Sequence, residues 1–312
     1  MAPAAMTEAT DERMSELKRP FLVGLVGRGI QLSRTPAMHE AEGGAQGFAY
    51  VYRLLDVDRM GSRAPDLADI VTFAARFGFD GLNVTFPYKQ EIIPLLDELS
   101  DAAATLGSVN TVVLRDGRRF GHNTDLWGFR ESFRREMVAA SRKLVVLLGA
   151  GGAGAAVAHA LLDCGTEKVM ISDIEPDRAE TLCQRLALRY GAERVARTSD
   201  LARATAQADG VVNASPVGMA KLPGIPLDPA LLRPQCWVAD IVYFPLETEL
   251  LRAARKLGCR TLSGEGMAVY QAARAFELLT GHAADADRMR ATFTRFRHAD
   301  DPERATQPEA TG

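Results

Sequence analysis

Apolar and polar positions fall in blocks along the chain, and the period of the blocks switches back and forth. Residues 21–27, FLVGLVG, form an apolar run that ends in glycine, and residues 49–57, AYVYRLLDV, alternate. Both patterns predict strands. Residues 65–78, PDLADIVTFAARFG, have helical spacing and a terminal glycine stop. GLNVTF, residues 81–86, predicts another strand, and Ile92, Ile93, Leu95 and Leu96 predict a helix after it. A second series opens at residues 143–149, KLVVLLG, a continuous apolar run as expected of a strand buried on both faces. It leads into GAGGAGAAVAHALLDCG, a helix of small residues, then the strand KVMISD and the helix PDRAETLCQRLALRYG, with Pro176 where a first-turn proline is tolerated. DGVVNAS and CWVADIVY predict later strands, and helices are expected over residues 267–280 and 286–297.

Strands that alternate with helices predict an α/β fold with a mainly parallel sheet. With 312 residues, length suggests about two domains. The seam lies near residues 124–129. The expected division is a discontinuous first domain, residues 20–125 and 267–297, around a second domain, residues 126–266. The polar ends, residues 1–19 and 298–312, are expected to be disordered tails.

Composition narrows the function. The chain is 47% hydrophobic with a net charge of −3, and its basic residues are scattered. That gives no footprint for nucleic acid or an anionic membrane. No apolar run approaches the ~20 residues of a membrane span. Four dispersed cysteines and five dispersed histidines fit a reduced cytoplasmic protein and offer no metal-ligand spacing.

Gly149, Gly151 and Gly154 make a Gly-x-Gly-x-x-Gly pattern directly after a strand and at the opening of a helix. An acidic residue, Asp173, ends the next strand about 20 residues on. Such a loop lets backbone N–H groups meet a pyrophosphate. The Asp173 carboxylate would accept hydrogen bonds from a ribose 2′-hydroxyl. Facing a 2′-phosphate it would meet like charge, worth roughly 1–4 kcal/mol. Neither Ile174 nor Glu175 supplies a cation. The expected cofactor is therefore NAD rather than NADP, and Asp173→Ala should weaken that preference. Arg178 lies either against the adenosine or in solvent.

A nicotinamide enzyme also needs a group to take the proton of the hydroxyl it oxidises. Lys89, just past the GLNVTF strand and Pro87, and Asp125, at the seam, are candidates for an amine–carboxylate pair. Solvated surface charges are the competing reading of the same two residues.

Eight segments decide between these readings. GLVGRGIQLSRTPAMHEA, GLNVTFPYKQ, LGSVNTVV, GHNTDLWGF, LLGAGGAGAA, NASPVGM, DIVYFPLETELL and GEGMAVYQAARAFELLTG appear in that order across residues 21–281. In order and type they resemble the shikimate dehydrogenase family, most of all the NAD-dependent quinate/shikimate dehydrogenases of actinobacterial type. Two departures from the biosynthetic pattern suggest that type. Asp173 stands where NADP-using members carry an Asn-Arg-Thr loop, and Ser33-Arg34-Thr35 stands where Ser-x-Ser is usual. The resemblance implies a Rossmann-type domain joined to an α/β substrate domain. It implies Lys89 and Asp125 as the catalytic pair, Ser33 and Thr35 on the substrate carboxylate, and Thr85, Asn110 and Gln271 on the ring hydroxyls. Tyr243 would close on the substrate. Gly149, Ala150, Gly151, Gly152 and Ala153 would meet the pyrophosphate, with Asp173 and Arg178 at the adenosine. Asn213, Ser215, Pro216 and Met219 would line the dinucleotide path, and Ile241, Gly264 and Met267 would lie near the nicotinamide. The implied substrates are quinate and shikimate, oxidised at the ring 3-hydroxyl. The alternatives are a shikimate dehydrogenase with negligible quinate activity, or a metabolite-binding regulator without turnover. The oligomeric state is open, with a homodimer among the candidates.

Overall fold

The computed structural model describes residues 18–295. In chain order these form β1 (Lys18–Gly27), α1 (Thr35–Ala45), β2 (Phe48–Asp56), α2 (Leu67–Arg76), β3 (Gly81–Val84), β4 (Glu98–Leu99), α3 (Asp101–Leu106), β5 (Thr111–Arg115), β6 (Arg118–His122) and α4 (Asp125–Glu136). There follow β7 (Leu144–Leu148), α5 (Gly152–Asp163), β8 (Lys168–Ser172), α6 (Pro176–Tyr190), β9 (Val195–Arg197), α7 (Leu201–Gln207), β10 (Gly210–Asn213), β11 (Trp237–Asp240), α8 (Glu249–Lys256), β12 (Thr261–Leu262), α9 (Gly264–Thr280) and α10 (Ala286–Arg295). The chain divides into two compact units. Within the described residues, one runs to Asn123 and takes up Ala272–Thr294; the other holds Thr124–Gln271.

The first unit is built on a six-stranded sheet in the order β2-β1-β3-β5-β6-β4. β1 pairs in parallel with β2 and β3, whereas β5 runs antiparallel to both β3 and β6. β2 sits at the sheet's margin, and its alternation is literal: Phe48, Tyr50 and Tyr52 are buried, Ala49, Val51 and Arg53 exposed. One face of the sheet packs Val26, Leu82, Val84 and Val112 against Ile70, Val71 and Ile92. An aromatic group holds Tyr50 stacked on Phe276, with the His39 ring beside both and beside Tyr52. Burial pushes the His39 imidazole down to about 3, so it is neutral in the core.

The second unit is an all-parallel sheet in the order β12-β11-β10-β7-β8-β9. Strands leave β7 toward β8 and β9 on one side and toward β10 to β12 on the other. That is doubly wound topology, and it creates a switch point where β7 and β10 lie side by side. Val145, Val146 and Leu147 are fully buried there, as a continuous apolar run requires. Each is worth roughly 1.5–3 kcal/mol. An exposed ion pair such as Arg178–Glu175 contributes about 1 kcal/mol at most, so the apolar strands hold this unit together.

Two expectations need correction. The helix expected through Ile92–Leu96 is only a single tight turn, Ile93–Leu95, because Pro94 removes a backbone donor at its centre. The mainly parallel sheet holds for both units, and the first also carries the antiparallel hairpin β5–β6. Its signal was Asp116-Gly117, both at positive φ (52° and 72°), a two-residue hairpin turn. Lys18 and Arg19, expected in a leading tail, open β1, and Arg19 pairs with Asp80. The expected tails before residue 18 and after 297, with the last residues of the helix expected to 297, lie outside the described residues.

Candidate active site

The first unit gathers polar side chains at the C-terminal ends of β1 and β3. Thr85 N donates to Val26 O (3.0 Å), and Arg28 N donates to Phe86 O (3.1 Å), so the two strand exits are tied together. A Cβ on Gly27 would lie 2.4 Å from Thr85 Cγ2, which explains the glycine. Val84 N donates to Asn110 O and Val109 N donates to Lys89 O, both at 2.8 Å. Thr85, Lys89 and Asn110 are thus brought to one end of one sheet. Ser33 and Thr35 open α1, where Thr35 N lies 3.4 Å from Ser33 Oγ. Two hydroxyls at the first turn of a helix suit a carboxylate.

The loop between β1 and α1 is held by a residue that sequence reasoning missed. Asp56, 3% exposed, accepts from Gly29 N (3.0 Å), Ile30 N (3.2 Å) and Gln31 Nε2 (2.9 Å). Burial alone would raise its pKa, but these donors and Asp58 N outweigh it and hold the carboxyl below its ordinary value. The only sequence signal was an acid closing an otherwise apolar strand end.

In the second unit, Asp125 is the first residue of α4. Thr124 Oγ1 donates to Gln271 Oε1 (3.4 Å), and Gln271 Nε2 donates to Ala268 O (3.1 Å). A Cβ on Gly128 would sit 2.7 Å from Met267 O, so α4 and α9 meet backbone to backbone. Asp125, Gln271 and Met267 therefore share one neighbourhood. Gly264 joins Ile241, whose carbonyl oxygen would lie 2.4 Å from an added Cβ.

The glycine loop occupies the switch point. Gly149 has φ +103°, and a Cβ there would lie 2.8 Å from the Ala214 carbonyl. Gly154 approaches Gly149 O so closely that a Cβ would lie 2.1 Å from it. Around Gly151 and Gly152, by contrast, an added Cβ would meet nothing within 4 Å. No side chain caps the start of α5. The loop thus leaves an open cradle of backbone donors, and the residues present fit a dinucleotide pyrophosphate. Asp173 Oδ2 accepts from Ala150 N (2.6 Å) and Oδ1 from Glu175 N (2.9 Å), so the carboxylate is fixed beside the loop. Arg178 pairs with Glu175 at 2.9 Å.

The residues expected along the dinucleotide path hang on a second buried acid that went unnoticed in the sequence. Asp240, 1% exposed, accepts from Thr248 Oγ1 (2.7 Å), Val242 N (3.0 Å) and Asn213 Nδ2 (2.9 Å). Burial pushes its carboxyl up to about 6, although the three donors oppose the rise. Asn213 in turn donates to Val217 O and accepts from Ser215 Oγ. Asn213, Ser215 and Ile241 are thereby fixed around one carboxylate. Pro216 lies in the same turn, where its carbonyl accepts from Met219 N (3.2 Å). Met219 and Tyr243 are exposed to 39% and 49%. Among the described residues no cluster of acids, histidines and cysteines could hold a metal ion, and no helix is long and apolar enough to cross a membrane.

A doubly wound parallel unit with a glycine loop at its switch point, carried in one chain with an α/β unit that collects a lysine and hydroxyl-bearing side chains, defines a two-domain Rossmann-like protein. Residues 25–112 match the shikimate dehydrogenase substrate binding domain, and residues 264–292 the shikimate 5'-dehydrogenase C-terminal domain. Shikimate dehydrogenase (NADP(+)) of Streptomyces avermitilis is 53% identical over 86% of this chain and 93% of its own length. Quinate/shikimate dehydrogenase (NAD(+)) of Corynebacterium efficiens is 50% identical over 88% and 97%. Among solved structures, quinate dehydrogenase from Corynebacterium glutamicum in complex with NAD superposes with a TM-score of 0.85 at 47% identity, covering 88% of this chain and 99% of that one. The chain belongs to the shikimate dehydrogenase family.

Proposed function

We propose that this protein is an NAD-dependent quinate/shikimate dehydrogenase. It reversibly oxidises the ring 3-hydroxyl of quinate to 3-dehydroquinate and of shikimate to 3-dehydroshikimate. The first unit takes the ring acid and the second the dinucleotide. Bound NAD supplies the hydride acceptor. Ser33 and Thr35 bind the ring carboxylate from the start of α1, and Thr85, Asn110 and Gln271 bind ring hydroxyls. Lys89 takes the hydroxyl proton, and Asp125 is the carboxylate of the catalytic pair. General acid–base help of this kind is worth about 100- to 10,000-fold. Tyr243 is a further substrate ligand.

Relatives named for NAD and for NADP are about equally similar to this chain, so the cofactor is read from the site itself. One observation carries it. The Asp173 carboxylate is anchored to the Ala150 N–H of the glycine loop and so stands where the adenosine ribose must pass. Arg178, the first cation to follow it in sequence, is engaged by Glu175. A 2′-phosphate would meet two carboxylates. The four cysteines are free, in keeping with a reducing cytoplasm.

The test is a spectrophotometric assay of the purified protein with NAD or NADP and with quinate or shikimate. Turnover of both acids with NAD is expected. Faster turnover with NADP would overturn the cofactor assignment, and turnover of shikimate alone would reduce the enzyme to a shikimate dehydrogenase.

A further inference from the structure

Behind Asn110 lies a buried chain of polar side chains that the reading above does not use. Tyr52, Asn83, Asn110 and Thr111 are each at most 5% exposed. Tyr52 Oη donates to Asn83 Oδ1 (2.8 Å). Asn83 Nδ2 donates to Asn110 O (3.2 Å) and to Thr111 Oγ1 (3.0 Å). Thr111 Oγ1 lies 3.1 Å from Asn110 Oδ1.

The direction of every hydrogen follows from one fixed point. The backbone carbonyl of Asn110 can only accept, so the end of the Asn83 amide that faces it must be the NH₂. Asn83 Oδ1 is then the end that accepts from Tyr52. The Thr111 hydroxyl receives a hydrogen from Asn83 and must place its own, and Asn110 Oδ1 is the acceptor within reach. The Asn110 amide therefore has its carbonyl oxygen turned toward Thr111 and its NH₂ turned away. Asn83 and Thr111 are register partners on β3 and β5, so the sheet itself sets this relay.

We propose that Thr111 and Asn83 are positioning residues that hold Asn110 as a hydrogen-bond donor to the substrate ring. The inference rests on the reading of Asn110 as a ring-hydroxyl ligand. It selects substrates that carry an accepting oxygen at that ring position. Without the Thr111 hydroxyl, the amide loses the hydrogen bond that draws its oxygen inward.

The test compares the wild-type protein with Thr111→Val, Thr111→Ser and Tyr52→Phe. Steady-state kinetics are measured with shikimate and quinate, together with the KM for NAD and the Tm. Thr111→Val should raise the ring-acid KM about tenfold, with kcat within about threefold and the KM for NAD unchanged. Thr111→Ser should restore the wild-type KM. Tyr52→Phe should have a smaller effect, about twofold, because the Asn110 carbonyl still orients Asn83. A merely structural role would lower Tm without this split. A ring-acid KM within twofold of wild type in Thr111→Val, or a Thr111→Ser variant that behaves like it, overturns the inference. Should Thr111→Val not fold, Thr111→Ala replaces it and the same values decide. A wild-type protein that turns over neither acid rejects the functional reading and this inference together. Wild-type turnover with an unmoved KM rejects the inference alone.

Discussion

The strand ends of the two units solve recognition in opposite ways. At the switch point of the second unit the surface is made by leaving atoms out: open space surrounds Gly151 and Gly152, and Gly149 and Gly154 have no room for a side chain. At the ends of β1 and β3 in the first unit the surface is made of side chains, and other residues hold parts of it in place. Asp56 fixes the Gly29–Gln31 loop, Asn83 and Thr111 fix Asn110, and Val109 fixes the Lys89 backbone. A pyrophosphate can be met by any well-placed backbone donors. A polyhydroxylated ring requires particular groups in particular orientations.

The contrast can be broken first at Lys89. Lys89→Ala should lower kcat by about 100- to 10,000-fold with a much smaller change in ring-acid KM, measured by steady-state kinetics. Near-normal turnover would remove the lysine from the chemistry. In the second unit, Asp173→Asn keeps an oxygen for the Ala150 N–H and loses the charge. The ratio of kcat/KM for NAD over NADP should fall by roughly tenfold or more; an unchanged ratio would move discrimination elsewhere.

Two glycines separate cradle from scaffold. Gly154→Ala forces a Cβ against Gly149 O and should lower stability by about 1–3 kcal/mol in denaturant unfolding. Gly151→Ala meets open space, so stability should hold while the KM for NAD rises on the order of tenfold. If both variants lost stability equally, the cradle around Gly151 would be no more open than the packing at Gly154.

The last comparison concerns Asp240. Its folded-state pKa is raised to about 6 from an ordinary 3.8. The protonated acid is therefore favoured by folding. Its stabilisation is fully present below about pH 4 and is lost as pH rises toward 6. The full span is about 3 kcal/mol at most. Wild-type stability relative to Asp240→Asn should decline across that window and level off above it, read from denaturation at several pH values. A flat difference would place the carboxyl in an environment it shares with the unfolded chain.

Much of the second unit was legible in the chain itself. The unbroken apolar run of β7, the three spaced glycines and the acid at the end of β8 are local features, and each has one economical physical use. The first unit was less legible. The β5–β6 hairpin had only Asp116-Gly117 to announce it, and Pro94 should have cancelled the helix expected beside it. The roles of Asp56, Asn83, Thr111 and Asp240 could not be read at all, since an isolated acid, amide or hydroxyl in a sequence has no direction.

By itself, then, the sequence determined the alternation of strands and helices, the glycine cradle and the residue types available for acid–base chemistry. Those properties depend on neighbours within a few positions along the chain. Only the tertiary structure decided which end of Asn110 turns inward, which loop Asp56 holds and how deeply Asp240 is buried. Hydrogen bonds and desolvation act between groups tens of residues apart, and pairing across a sheet is what brings those groups within reach.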